Sequence, residues 1–382
     1  MKYIVIAFLI LTATQTALAQ RKELGQARTF IKNGKYDEAE KQIAPLLKDS
    51  IHSKNKRVWL ALYDIVSGKY QQANDKLYLK QKQDTAAFFA LARRRVSVAE
   101  TLDSLAPEQR KSVAAEQHTH RVNLFNGGIY FVRKGKWKDA YDFMEAYIDC
   151  ARQPLFEAYH YDSLDARMPQ AAYWATYSAY MMHDHVLTLR HRMLALRDTA
   201  KADFTLQFVA EAWKGLNDDE LYIATLQQGF RRYPLFPYFF PRLFDAYTGR
   251  GQYDSALALA DSALQACDSC QLFLFAKSTT LLQTGKYAES IKIGDRLIAL
   301  NDSMPEPYFN VATAYINIAD RLDDRKERKL VRQAYQKAKP YMEKYRAMRP
   351  QEKQKWGPPL YRIYLNLNMG RQFDEIDRLL KK

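Results

Sequence analysis

Beyond its opening residues the sequence has no run apolar enough to cross a bilayer, which takes roughly 20 apolar residues in a helix. No cysteine stands where an exported lipoprotein would carry its lipid, so a lipid anchor is not expected. Alternating runs of β-branched residues bounded by hairpin turns are missing, which argues against a sheet. No Gly/Ser-rich stretch marks a flexible linker. The phosphate loop, the dinucleotide fingerprint, G-x-S-x-G and H-E-x-x-H are all absent, so no catalytic residue is assigned and no enzyme is expected. Histidine is sparse, at seven, and five fall in two groups: His118 with His120, and His183, His185 and His191. Neither group has helical i, i+4 spacing with a further ligand in view, so both read as polar turn residues and no metal or cofactor is expected. Asp218-Asp219 and Asp323-Asp324 lack the alternating oxygen ligands and glycine of a calcium loop.

What the chain does have begins with a leader. Lys2 supplies a positive start, Tyr3 to Leu11 is apolar throughout, and Ala17-Leu18-Ala19 is a small-x-small cleavage site. Residues 1–19 therefore read as a cleaved signal peptide, and 20–382 as the mature chain, exported, periplasmic in a cell with two membranes, and free of a transmembrane segment. The formal charge of +15 falls to +14 when Lys2 leaves. Such an excess favours acidic partners and anionic surfaces through contacts that weaken with salt. Nucleic acid is not expected: the leader argues against it, and basic and acidic residues read as interspersed.

A single phrase then recurs: NGKYDEA (33–39), SGKYQQA (67–73), KGKWKDA (134–140), RGQYDSA (250–256) and TGKYAES (284–290). Gly34 to Gly68 and Gly251 to Gly285 are each steps of 34 residues, and Gly68 to Gly135 is 67. A fixed period of this size points to stacked helical repeats. Helix-period runs flank the glycines, as in 238–251 and 253–266. Each phrase is read as the corner of a helix hairpin. Its glycine ends the first helix in the left-handed conformation. Its aromatic (Tyr36, Tyr70, Trp137, Tyr253, Tyr287) is expected to pack back over the helix just ended. Its small residue (Ala39, Ala73, Ala140, Ala256, Ser290) lets the two helices approach closely.

The phrases and their flanks resemble the tetratricopeptide repeat, with its W-x2-L-G-x2-Y, A-x3-F and P places. Around Gly135 those places hold Leu124, Gly127, Gly128 and Phe131, then Ala140 and Met144. Around Gly251 they hold Phe240, Leu243, Phe244 and Tyr247, then Ala256 and Ala260. From Pro305 they hold Tyr308, Val311, Ala312 and Tyr315, then Ala338, Met342 and Pro350. The resemblance implies an all-α fold, a right-handed α-solenoid of about nine or ten hairpins over residues 20–382 as one continuous array. Repeats are degenerate around 85–121 and 152–200. Asn217-Asp218-Asp219 replaces one glycine corner, and a final hairpin is expected to turn at Gly370. Residues 320–333 insert about 14 residues more than the period allows, as an extended turn or longer helices.

The same resemblance implies a groove lined by first helices that holds a peptide or partner helix. By position its wall comprises Phe125, Asn126, Tyr238, Arg242, Asp245, Phe275, Phe309 and Asn310, with Asn126 and Asn310 in the family's peptide-binding asparagine place. The lysines of a carboxylate clamp are not matched. Cys267 and Cys270 form a C-x-x-C in a turn between helix pairs, read first as a local disulfide and otherwise as two free thiols. Cys150 is read as a small buried residue. The aromatic run 233–247 is read mainly as core. The leading function is a non-enzymatic scaffold binding another protein or peptide in the cell envelope. The alternative is glycan or cell-wall binding through exposed aromatics and the basic, anion-attracting surface.

Overall fold

The computed structural model describes residues 21–49, 52–323 and 325–381, and the expected leader lies outside them. Every regular element among the described residues is helical. They form two compact units, one ending at Asp218 and one starting at Asp219.

In the first unit, residues 21–32 (α1) precede α2 (Tyr36–Lys48), α3 (Lys56–Tyr78), α4 (Thr85–Leu105), α5 (Arg110–His120), α6 (Val122–Arg133) and α7 (Trp137–Asp149). After a 3-10 turn at Pro154–Tyr159 come α8 (Tyr161–Leu164), α9 (Met168–Met181), α10 (His185–Arg190), α11 (Arg192–Ala195) and α12 (Ala202–Gly215). The second unit holds α13 (Asp219–Arg232), α14 (Phe239–Gly249), α15 (Tyr253–Ala266), α16 (Gln271–Gln283), α17 (Tyr287–Leu300), α18 (Pro305–Asp320), α19 (Arg328–Met348), α20 (Lys353–Asn366) and α21 (Gly370–Leu380). Most helices consecutive in sequence within a unit pack on one another, as α6 does on α7 and α18 on α19. This is an all-helical repeat fold.

The corners share one backbone device. Gly34, Gly135, Gly251 and Gly285 have φ between 66° and 75°. The residue after each donates its N–H to a carbonyl five residues back, Lys35 to Phe30, Lys136 to Phe131, Gln252 to Tyr247 and Lys286 to Leu281, at 2.9 to 3.0 Å. That is the Schellman closure, which satisfies helix-end carbonyls that would otherwise lack donors. Non-glycine residues build the same closure elsewhere: Lys80 (φ 54°), His183 (57°), Asn217 (59°) and Asn368 (56°). Gln81, Asp184, Asp218 and Met369 donate to Lys76, Ala179, Trp213 and Tyr364. The last hairpin therefore turns at Asn368, and Gly370 is instead the first residue of α21.

Gly68 corrects the sequence reading outright. It lies inside α3, which runs unbroken through SGKYQQA, so this phrase is no corner. A Cβ at Gly68 would sit 2.1 to 2.7 Å from ring atoms of Tyr36. The glycine is there for close approach, not for a left-handed turn. Three of the corner aromatics also reach forward to the next hairpin. Tyr36 covers Gly68 of α3, Trp137 meets Tyr177 of α9 edge-on at 5.6 Å, and Tyr287 packs with Val311 and Ala314 of α18. A hairpin so placed uses its corner ring to fasten its successor, as a stacked repeat requires.

The small residues serve as expected. Ala39, Ala140, Ala256 and Ser290 are fully buried. Ser290 donates to the Ser278 carbonyl at 2.9 Å and Ser278 returns a bond to the Ser290 carbonyl at 3.3 Å, which brings α16 and α17 together. The 320–333 insertion resolves into both expected forms, a turn after α18 and a 21-residue α19. The first unit has a continuous core running from Leu24 to Phe208. In the second, Tyr308, Ala312, Ala338, Met342, Trp356, Leu360 and Ile376 share one cluster.

Candidate binding surfaces

The groove residues divide between the units, two in the first and six in the second, and burial divides them again. Asn126 on α6 and Asp245 on α14 are exposed, while Arg242 on α14, Phe275 on α16 and Phe309 on α18 are half-buried. Phe125, Tyr238 and Asn310 are buried, contrary to their expected place on an exposed wall. Phe125 packs edge-on to Tyr147 at 5.7 Å. Tyr238 lies under the Arg242 guanidinium, 3.8 Å from its ring centroid, and accepts an Arg242 hydrogen bond at its carbonyl at 3.3 Å. Asn310 Nδ2 donates to Thr279 Oγ1 at 3.1 Å, tying α18 to α16. The covering differs in each case: the second helix of the same hairpin covers Phe125, Arg242 of α14 covers Tyr238, and the preceding first helix covers Asn310. Asn310, in the peptide-binding place, thus acts as a strut between repeats.

The dense aromatic run 233–247 is mostly core. Phe239, Phe240 and Leu243 are almost fully buried. Phe240 stacks on Phe244 at 5.7 Å and meets Phe273 at 4.5 Å. A groove of about 700 Å³ opens beside this run, between α13 and α15, with Leu243 and Tyr247 of α14 in its wall. None of the first-helix positions above is among its lining residues.

In the first unit, residues 152–169, read from sequence only as a break between repeats, fold into an ordered cluster around Arg121. Leu155 and Phe156 anchor it in the core. The buried Arg121 guanidinium is sandwiched between Tyr147 and Tyr161, 3.7 Å from each ring centroid. It donates to Asp165 Oδ2 at 2.5 Å and to the Tyr147 carbonyl at 2.8 Å. Tyr147 also donates its hydroxyl to Asp165, at 2.7 Å. Burial pushes the Asp165 carboxyl up, but the bonds from Tyr147 and Arg121 outweigh it and hold the group below its ordinary value. His118 stacks on Tyr159 at 4.1 Å, with Nδ1 2.7 Å from the Tyr161 hydroxyl. A cleft of about 400 Å³ runs along these groups. The arrangement is a charge-paired stack that fixes the segment to α5, α6 and α7.

The remaining polar candidates are structural. His120 bonds to the Tyr70 hydroxyl at 3.2 Å, and the buried His191 lies 2.5 Å from Glu145. Among the described residues no group of three potential metal ligands is present. Cys150 is buried as expected, its thiol pushed up to about 12 by burial. Cys267 and Cys270 are both half-buried and are not bonded to each other in the structure. No helix among the described residues is long and apolar enough to cross a membrane.

Fold and surface together define a helical-repeat protein whose outward features are helix faces. Comparison with known families makes this specific. Residues 242–305, from within α14 to the first residue of α18, match the family described as tetratricopeptide repeat, and that stretch is tetratricopeptide repeat. Repeats of this kind are helical scaffolds that characteristically hold other proteins. No curated protein matches the chain. Among solved structures, the chain is similar to the C-terminal part of a TPR repeat-containing protein from Cytophaga hutchinsonii. That match has 11% identity over 66% of this chain and 92% of the other, with a TM-score of 0.45. It is also similar to YrrB, titled a TPR protein with an unusual peptide-binding site, at 12% identity over 64% and 93%, with a TM-score of 0.27. A further similarity is to the P58(IPK) TPR domain, at 12% identity over 94% and 98%, with a TM-score of 0.28.

Proposed function

We propose that this chain is an exported, non-enzymatic scaffold of the cell envelope that holds another protein or peptide against the first-helix face of its second unit. The observation that carries the reading is the set Arg242, Asp245, Phe275 and Phe309. These exposed or half-buried side chains stand on α14, α16 and α18, and three of the four fall inside the matched repeat stretch. They combine ring surface with one charge of each sign, which suits a peptide segment carrying apolar and polar side chains in alternation. Export rests on the leader at 1–19. Asn126 stands on the first unit and is left out of this surface.

The glycan reading draws on exposed rings and on the basic surface. In 233–247 Tyr238, Phe239 and Phe240 are buried and Tyr233, Phe236, Phe244 and Tyr247 half-buried, so no ring there is fully exposed, which favours the protein-binding reading. The test is capture of envelope proteins on immobilised residues 20–382, compared with a variant carrying Asp245→Arg, Phe275→Ala and Phe309→Ala, washed at rising salt. A protein retained by the parent and lost by the variant supports the reading. Equal retention by both, or polysaccharide alone, overturns it.

A further inference from the structure

We propose that the second unit carries, apart from its first-helix face, a docking surface for an anionic phospholipid membrane, built on α19. Residues 325–355 contain twelve Lys or Arg and three Asp or Glu, a net +9 of the chain's +15. The charge is therefore concentrated in one segment and not interspersed.

The helix sorts these residues onto its outside. Val331, Ala334, Tyr335, Ala338, Met342 and Tyr345 form its buried stripe. Arg328, Arg332, Lys339 and Arg346, spaced by four, seven and seven residues, follow one border of the opposite face. Leu330, Lys337 and Lys344, spaced by seven, follow the other border. Between the borders stand Lys329, Gln333, Gln336, Pro340 and Ala347, all exposed, together with the half-buried Glu343, seven residues on from Gln336. The helix has one carboxylate, Glu343, and it accepts the Tyr364 hydroxyl at 2.9 Å. Arg346 is engaged by Glu375 at 2.5 Å and Lys337 leans over the Tyr315 ring at 5.7 Å. Arg328, Lys329, Arg332, Lys339 and Lys344 have no ion-pair partner among the described residues.

The shape of this charge selects the partner. An acidic peptide or a nucleic-acid strand would follow one row of cations. Here cations edge both sides of a face about 30 Å long, and a flat surface meets both rows at once. Leu330, 49% exposed in line with Lys337 and Lys344, offers an apolar side chain on the same side. Cations bordering a face with an exposed apolar residue are what a helix resting on anionic headgroups presents. The lipid phosphates are the chemistry recognised, and their density in a bilayer supplies the multivalency that free phosphate lacks.

The test is flotation of the full chain with vesicles of phosphatidylcholine alone or mixed with phosphatidylglycerol. It compares the parent with a variant carrying Arg328→Gln, Arg332→Gln, Lys339→Gln and Lys344→Gln. A control removes the same charge elsewhere, through Gln at Lys41, Lys48, Lys111 and Lys136, all exposed on the first unit. The expected result is binding only to the anionic vesicles. The α19 variant should weaken it by about fivefold per cation, several hundredfold in all, and the control by less than about tenfold. Inorganic phosphate at matched ionic strength should not compete. Equal loss in both variants, no binding to anionic vesicles, competition by free phosphate, or binding of duplex DNA or polyglutamate in place of vesicles would each overturn the proposal.

Discussion

Replacing Gly68 by alanine gives a result whose sign depends on a residue 32 positions away. Gly68 is inside α3, so an added methyl gains helix propensity of about 0.8–1 kcal/mol. The same methyl would enter the Tyr36 ring, 2.1 Å from Cζ, and overpacking costs about 1–3 kcal/mol. In the parent the sum is a loss of up to about 2 kcal/mol. In a Tyr36→Ala background the ring is gone, and Gly68→Ala should stabilise by about 1 kcal/mol. The coupling between the two changes is then about 1–3 kcal/mol. Gly34→Ala is the control. Its cost of about 1–2 kcal/mol comes from φ +69°, with only Gln72 Nε2 within 4 Å of the new Cβ, so it should be the same in both backgrounds. Denaturant unfolding followed by tryptophan fluorescence reads this well, because Trp59, Trp137, Trp174 and Trp213 all lie in the first unit. A Gly68→Ala cost that is unchanged by Tyr36→Ala would refute the close-approach argument and restore Gly68 as a turn.

Other outcomes follow from single groups. Burial, with Asp149 nearby, raises the Glu100 carboxyl to about 7. The folded chain then holds a proton the unfolded chain has lost, so Glu100 subtracts stability as pH rises from about 4.5 through 7. Glu100→Gln should be close to neutral at pH 4 and stabilising by about 1–3 kcal/mol at pH 8 in urea unfolding, and an equal effect at both pH values contradicts this. Asn310→Ala removes the bond to Thr279 and should cost about 1–2 kcal/mol of stability; an unchanged unfolding midpoint would return Asn310 to the binding wall. His183→Gly relieves a left-handed non-glycine residue and should raise the unfolding free energy by about 1 kcal/mol, more than Asn217→Gly does, since asparagine tolerates that conformation better. A loss of stability in His183→Gly would show that its side chain contributes more than its backbone strain costs.

The hairpin corners at Gly34, Gly135, Gly251 and Gly285 were legible because their glycine, aromatic and small residue each answer a local need of the turn. SGKYQQA misled because a glycine required by a neighbour's ring is written with the same letter as one required by φ. Lys80, His183 and Asn368 make the same corner with no glycine to announce it, since the closing backbone bonds, not the side chain, define the motif. On the binding face, helical position was legible but burial was not. Phe125, Tyr238 and Asn310 are covered by packing that the 34-residue period does not encode. The Arg121 stack was hidden for a related reason: its parts come from α5, the residue between α5 and α6, α7 and the 152–169 segment, and only folding brings them together. The α19 charge was in plain sight at 325–355, but averaging over the whole chain diluted it.

The first-helix face of the second unit is where the proposed binding is decided. Its decisive measurement is retention of envelope protein by residues 20–382, set beside the Asp245→Arg, Phe275→Ala, Phe309→Ala variant across a rising salt series. The account predicts a defined protein that stays bound to the parent beyond the salt that strips bulk anionic material, and that is lost from the variant. The same proteins retained equally by both would contradict it.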